Sequence, residues 1–235
     1  FFNPPFMLEA GESNFNERFN AGLKGSKGWV YEGGIRVPMV IRYPAELKQN
    51  VINQELSHFT DWLPTLASIC GIEKINDLPL DGYNIIDQLR GDKLKKPPRR
   101  FWQWNFYYPS IATNAAIRDG QWKLVQPMIS GTRYYNNKDL HVAKEDTLRT
   151  AALIEADIRH KEDPTLIDSI LEVPHIKYPP PEAPELYNID KDPEESFNVA
   201  EQNPILVSKL TNELYKWFEE VEFSRKSIDD PLHNN

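Results

Sequence analysis

The chain has one cysteine, Cys70, in 235 residues. No intrachain disulfide can form, and cysteine use does not report the redox compartment. No apolar run approaches the ~20 residues needed to span a bilayer. Positive charge is in deficit: 27 Lys and Arg face 35 Asp and Glu, for a formal net charge of −8. That balance argues against nucleic-acid or membrane-surface partners, which favour basic surfaces. It would also repel an anionic ligand at long range, so any anion site must rest on a local cluster of cations. The five histidines are scattered and lack metal-ligand spacing. Internal repeats are absent. Phe1-Phe2-Asn3-Pro4-Pro5-Phe6 is too short and too proline-broken for a signal peptide and lacks a basic start. The chain therefore reads as a piece of something longer. Its 40% hydrophobic and 26% charged residues are ordinary for a globular protein.

What is present is concentrated in Lys24-Gly25-Ser26-Lys27-Gly28-Trp29-Val30-Tyr31-Glu32-Gly33-Gly34-Ile35-Arg36-Val37-Pro38. Glycine allows sharp turns and close approach, and lysines between glycines put mobile positive charge where an anion can be gripped. Physics alone leaves two readings open, an anion-binding loop and a solvated basic turn before a buried strand. The residues after it, 37–43, read as that strand, ended by Pro44.

Residues 1–19 read as a polar surface loop. Asp61 to Cys70 predicts a helix, with Trp62, Leu63, Leu66 and Ile69 at helical spacing, Pro64 in the tolerant first turn and Gly71 past the end. Cys70 ends that apolar pattern and is expected to be buried and structural. A short helix is expected over 85–89, closed by Gly91. Residues 93–100 form a basic, proline-broken linker, read as solvated. Residues 101–107 alternate aromatic and polar side chains like a strand. Asp119-Gly120 between 115–118 and 122–126 is a hairpin signal. Residues 141–173 look helical, 174–184 are a proline-rich connector, and 185–189 form a strand. Asn203-Pro204 then opens a long helix with the stripe Leu206, Leu210, Leu214, Trp217, Phe218 and Val221.

Lys27-Gly28-x-x-Tyr31-Glu32-Gly33-Gly34-x-Arg36-Val37-Pro38, with its lead-in Phe19 to Gly25, resembles the second signature of the type I sulfatases (arylsulfatases), in the alkaline-phosphatase-like superfamily. Four further matches follow in the family's order. They are Thr60-Asp61-Trp62-Leu63-Pro64-Thr65-Leu66 with Gly71, Leu80-Asp81-Gly82-Tyr83-Asn84-Ile85-Ile86, Ala116-Ile117-Arg118-Asp119-Gly120-Gln121-Trp122-Lys123-Leu124-Val125, and Glu185-Leu186-Tyr187-Asn188-Ile189-Asp190-Lys191-Asp192-Pro193-Glu194-Glu195. One such motif is weak; five in order are specific. The resemblance implies an α/β fold: residues 1–92 would close an alkaline-phosphatase-like mixed-sheet catalytic domain, 93–100 would link, and 101–235 would form a smaller α+β subdomain with an antiparallel sheet and a long helix.

The resemblance also implies a sulfuric ester hydrolase that cleaves sulfate esters on a sulfated carbohydrate. It would use a formylglycine nucleophile and Ca2+, both held upstream of this fragment in a missing N-terminal half of the domain, and it would sit in the periplasm or outside the cell. The Cys-or-Ser-x-Pro-x-Arg nucleophile motif is not here: Cys70 is followed by Gly71, Ile72, Glu73 and Lys74. The fragment alone is thus expected to be inactive. Lys27 aligns with the lysine that contacts sulfate, and Lys24 is its rival three residues earlier. His58 is a candidate substrate contact or acid. Gln103 and Asn105 lie on a strand where relatives place polar substrate contacts, beside Trp102 and Trp104, which are stacking or core residues. Glu32 and Arg36 read as a structural pair. Two other readings remain: a phosphodiesterase or phosphonate hydrolase of the same superfamily, and a non-catalytic carbohydrate-binding relative.

Overall fold

The computed structural model describes residues 20–72, 80–92, 98–105, 109–129 and 180–227, with isolated positions between 155 and 163. The expected surface loop 1–19, most of the expected helix 141–173, and much of the linker 93–100 lie outside the described residues. The chain divides into two compact units, one of Phe1–Arg36 with Phe101–Asn235 and one of Val37–Arg100. By its contacts the glycine-lysine segment through Arg36 groups with the later sheet.

That sheet starts from the hairpin signal. β2 (Ala115–Asp119) and β3 (Trp122–Gln126) pair antiparallel in the register Asp119↔Trp122 to Ala115↔Gln126, turning through Gly120-Gln121. β4 (Glu185–Asn188) lies antiparallel on the other side of β3, with Leu124 opposite Leu186. β1 (Arg100–Gln103) completes the order β1-β2-β3-β4.

Strand alternation sends successive side chains to opposite faces, and both faces are covered. Ala115, Ile117, Leu124 and Leu186 meet Leu210 and Leu214 of the long helix, Pro204–Ser227. Phe101 stacks on its Trp217 at 5.0 Å between ring centroids. Burying each such leucine stabilises by about 1.5–3 kcal/mol. Of the expected stripe, Val221 is exposed. On the opposite face Ala116, Val125, Tyr187 and Ile189 pack against Val30 and Tyr31. The glycine-lysine segment, which carries the short helix α1 (Glu32–Ile35), is therefore the second cover of the sheet.

In the other unit, α2 (Trp62–Ile69) follows a single 3-10 turn, Phe59–Asp61. Its fastening is polar. Asp61, fully buried, accepts from His58 N at 2.7 Å, Tyr83 N at 2.9 Å and Arg100 Nη2 at 2.7 Å. Thr65 Oγ1 donates to Asp61 O at 2.6 Å and accepts from Ile85 N at 3.0 Å. The second and third sequence motifs thus meet each other here. α3 (Ile86–Arg90) ends at Gly91 with φ +106, a left-handed cap that suits glycine.

Two expectations fail in this unit. Residues 37–43 are irregular and mostly exposed, with Val40 at 96%. Pro38 and Pro44 lack donors, and among the described residues no strand lies alongside to take their backbone groups. Cys70 is exposed, not buried, because α2 turns Thr65 and Ala67 inward and leaves Leu63 and Leu66 outside.

Candidate functional site

The exposed tip of the glycine-lysine segment is Lys27. Trp29 N donates to Ser26 O at 2.9 Å, closing a four-residue turn with Lys27 second and Gly28 third. Gly28 has φ +85, the left-handed value that the third position of a type II turn needs. Beneath the tip the chain is dense. A Cβ on Gly34 would lie 2.1 Å from Trp29 O and 2.6 Å from Ser26 O. The obstructing atoms are backbone, so they cannot swing away. Gly34→Ala is expected to push the turn off its seat and to destabilise by about 1–3 kcal/mol or more. A thermal melt of the variant checks this; an unchanged midpoint would contradict the packing.

The segment is held to the sheet by two charged clusters. In the first, Glu185 Oε2 accepts from Tyr31 OH at 2.6 Å and Tyr187 OH at 2.7 Å, with Lys24 Nζ at 3.3 Å. Lys24 also donates to Tyr187 OH at 2.8 Å and lies 4.2 Å from the Tyr31 ring centre. Burial and the Glu185 carboxylate push both phenols far above their ordinary range, so they stay protonated donors.

In the second cluster, Lys123, with no exposed surface, places its Nζ 2.9 Å from Glu32 Oε1 and 2.8 Å from Glu195 Oε1. Glu32 N donates to Glu195 Oε2 at 2.6 Å, and Arg36 Nε to Glu32 Oε2 at 2.6 Å. Asp192 shapes the loop that brings Glu195 in, accepting from Ser196 N and Phe197 N. The first, fourth and fifth sequence motifs thus converge on one face of the sheet.

The expected site residues are placed unevenly. Lys27 stands at the turn tip. Lys24 is half-buried and its ammonium is already engaged by Glu185 and Tyr187. Gln103 ends β1; its Nε2 is buried and has no hydrogen-bond partner among the described residues, a state buried donors rarely keep without a ligand or water. Asn105 donates to Ser110 O at 3.4 Å. Trp102 packs against the core on the segment's side, and Trp104 is partly exposed. His58 belongs to the other unit and caps its 3-10 turn, its Nδ1 accepting from Thr60 N at 3.4 Å. Burial, then the charge of Arg100, lower its imidazole below the ordinary range, so it is neutral at pH 7. Glu32 and Arg36 form the structural pair the sequence suggested.

Asn114 escaped the sequence reading. It is buried at 1% exposure with φ +49, and its carboxamide grips the chain just after the tip: Oδ1 accepts from Val30 N at 3.1 Å and Nδ2 donates to Gly28 O at 2.9 Å. The only available signal was an Asn just ahead of a strand, where left-handed backbone favours that residue. Among the described residues no three His, Cys, Asp or Glu side chains come together to hold a metal ion, and no helix is long and apolar enough to cross a membrane. The buried carboxylates of Glu32, Glu195 and Asp61 already face Lys123 and Arg100. They do not fit a Ca2+ cage.

The family described as "N-sulphoglucosamine sulphohydrolase, C-terminal" matches residues 25–157. Arylsulfatase J of Mus musculus is 33% identical over 120 residues, which is 45% of this chain and 20% of that protein. The N-acetylgalactosamine-6-O-sulfatase of Bacteroides thetaiotaomicron is 24% identical over 215 residues, covering 89% of this chain and 33% of that one. The crystal structure of Ps i-CgsB in complex with k-i-k-neocarrahexaose superposes with a TM-score of 0.53 at 20% identity, over 83% of this chain and 32% of that one. The likeness shows an alkaline-phosphatase-like fold. The chain spans a third or less of the length of these relatives.

Proposed function

The chain belongs to the sulfatase family, and from that premise we propose that it forms part of an enzyme hydrolysing sulfate esters on a sulfated carbohydrate. One observation carries the reading: Lys27 stands at the exposed tip of a turn seated on a buried frame, in a chain of net charge −8. A cation carried on a seated turn in a net acidic protein is suited to the non-bridging oxygens of a sulfate, where charge grows as the ester bond breaks. Such preorganised charge costs no rearrangement during reaction.

In this proposal Lys27 is the sulfate contact. The Nε2 of Gln103, buried and without a hydrogen-bond partner among the described residues, is the donor for a sugar or sulfate oxygen, and Asn105 stands two residues further on. Lys24, held by Glu185 and Tyr187, braces the segment. His58 is left as a cap. The carbohydrate reading leans on relatives described as an N-acetylgalactosamine-6-O-sulfatase and on a structural neighbour crystallised with a neocarrahexaose. The formylglycine nucleophile and Ca2+ are assigned to a part of the protein other than the residues described.

The test is a substrate panel with the full-length protein: an aryl sulfate, sulfated galactosamine and carrageenan oligosaccharides, and a bis-aryl phosphodiester. Release of sulfate from the esters is the expected result. Hydrolysis of the phosphodiester without any sulfate release would replace the reading with phosphodiester cleavage.

A further inference from the structure

We infer that Asn114 is the residue that positions Lys27 for reaction, an inference that rests on the assignment of Lys27 to the sulfate. Four observations carry it. Asn114 is almost wholly buried and holds the backbone one and three residues after the turn tip, accepting from Val30 N and donating to Gly28 O. It therefore pairs with the backbone at alternate positions, as a neighbouring strand would. Its Nδ2 also donates to Trp104 O at 2.7 Å, while Trp104 N donates to its main-chain oxygen at 3.1 Å. The same side chain thus ties the Lys27 turn to the end of β1, between Gln103 and Asn105. Finally, its backbone is left-handed, φ +49, which costs a branched or bulky residue more than Asn.

The chemistry of the carboxamide is specific. One acceptor and two donor contacts are needed at once, which only a primary amide supplies. A carboxylate of the same shape would set an anionic oxygen against the carbonyls of Gly28 and Trp104. The position of Lys27 relative to Gln103 is thereby fixed by one side chain that touches no substrate. Misplacement of a reacting group by about 1 Å can cost a rate factor of about 100.

The experiment uses the full-length protein and kcat/KM on an aryl sulfate. Asn114→Gly keeps the backbone conformation and removes the clamp; Asn114→Asp keeps the shape and removes the donors. Both are expected to lose about tenfold or more. The control is Thr113→Val, which removes the neighbouring buried hydrogen bond from Ile129 N, 2.8 Å, and keeps the Asn114 carboxamide. It is expected to stay within about twofold although it also loses a buried bond.

Amide hydrogen exchange over Ser26–Tyr31 should speed up in Asn114→Gly and not in Thr113→Val. The decisive arm is the double variant with Lys27→Ala, in which Asn114→Gly should cost almost nothing more, because residues acting as a unit are not additive. A full tenfold loss in that background, or an Asn114→Gly no worse than Thr113→Val, overturns the inference while leaving Lys27 in place. A Lys27→Ala protein with unchanged kcat/KM removes the sulfate assignment first, and the positioning role with it.

Discussion

Replacing Lys27 with alanine in the full-length protein is expected to lower turnover of a sulfate ester by about two orders of magnitude or more, the usual cost of deleting one preorganised donor to a developing oxyanion. Folding stability should change by no more than about 0.5 kcal/mol, because an exposed residue away from caps and core carries little. The combination separates a chemical role from a structural one. Lys27→Arg should recover part of the loss, since the charge returns on a longer, planar head. Lys24→Ala is the instructive contrast. It removes a cation from Glu185 and Tyr187, so its first effect should be on stability, and any loss of rate should follow from a loosened segment. Turnover of Lys27→Ala close to that of the parent protein would end the assignment, whatever Lys24→Ala does.

Local chemistry made much of the fold legible in the sequence. The turn at Asp119-Gly120, the strand at Glu185, the stop at Gly91 and the stripe through Leu210 and Leu214 each follow from signals carried within a few residues, and the structure has them. The failures share one cause. Val37 to Tyr43 has the composition of a buried strand, yet burial depends on neighbours, and sequence cannot say whether a partner strand lies alongside. The apolar spacing that ends at Cys70 is one that α2 presents outward, because the inward side is secured by Asp61 and Thr65.

The candidate site shows the same division. Lys27 was visible through the resemblance of its motif to the sulfatase signature; the glycines around it fit a solvated turn as well as an anion-binding loop. Asn114 was not, because its partners Gly28 and Val30 are more than eighty residues away in the chain. The split role of the two lysines was equally hidden. Lys24 and Lys27 have the same local setting, and only the arrival of Glu185 and Tyr187 from the fourth strand tells them apart.

The largest expected effect on stability belongs to Lys123. It has no exposed surface and stands between two carboxylates, Glu32 and Glu195, that are themselves buried. Lys123→Met keeps most of the apolar volume and removes the charge, leaving two buried anions facing each other. Breaking a buried ion pair from one side costs about 3–5 kcal/mol, against a total of about 5–15 kcal/mol for a folded domain. The pH dependence gives the test a second axis. Burial pushes the Glu195 carboxyl above the ordinary 4.5, with Lys123 offsetting only part of the rise. Its contribution is present below that ordinary value and is lost as pH climbs through the raised one.

Burial opposes the Glu32 charge too, but Lys123, Arg36 and Arg118 together hold its carboxyl below 4.5. Its contribution is present above the ordinary value and lost as pH falls through the lowered one. The parent cluster is thus most stabilising in the mildly acidic range between the two. Without Lys123 both carboxyls lose their main counter-charge and rise, so protonation relieves the variant. The gap between parent and Lys123→Met in urea midpoint should be widest near pH 8 and narrow steadily towards pH 5. A gap that is small, or that does not change across this range, would mean that Lys123 does not carry the seat of the Lys27 segment.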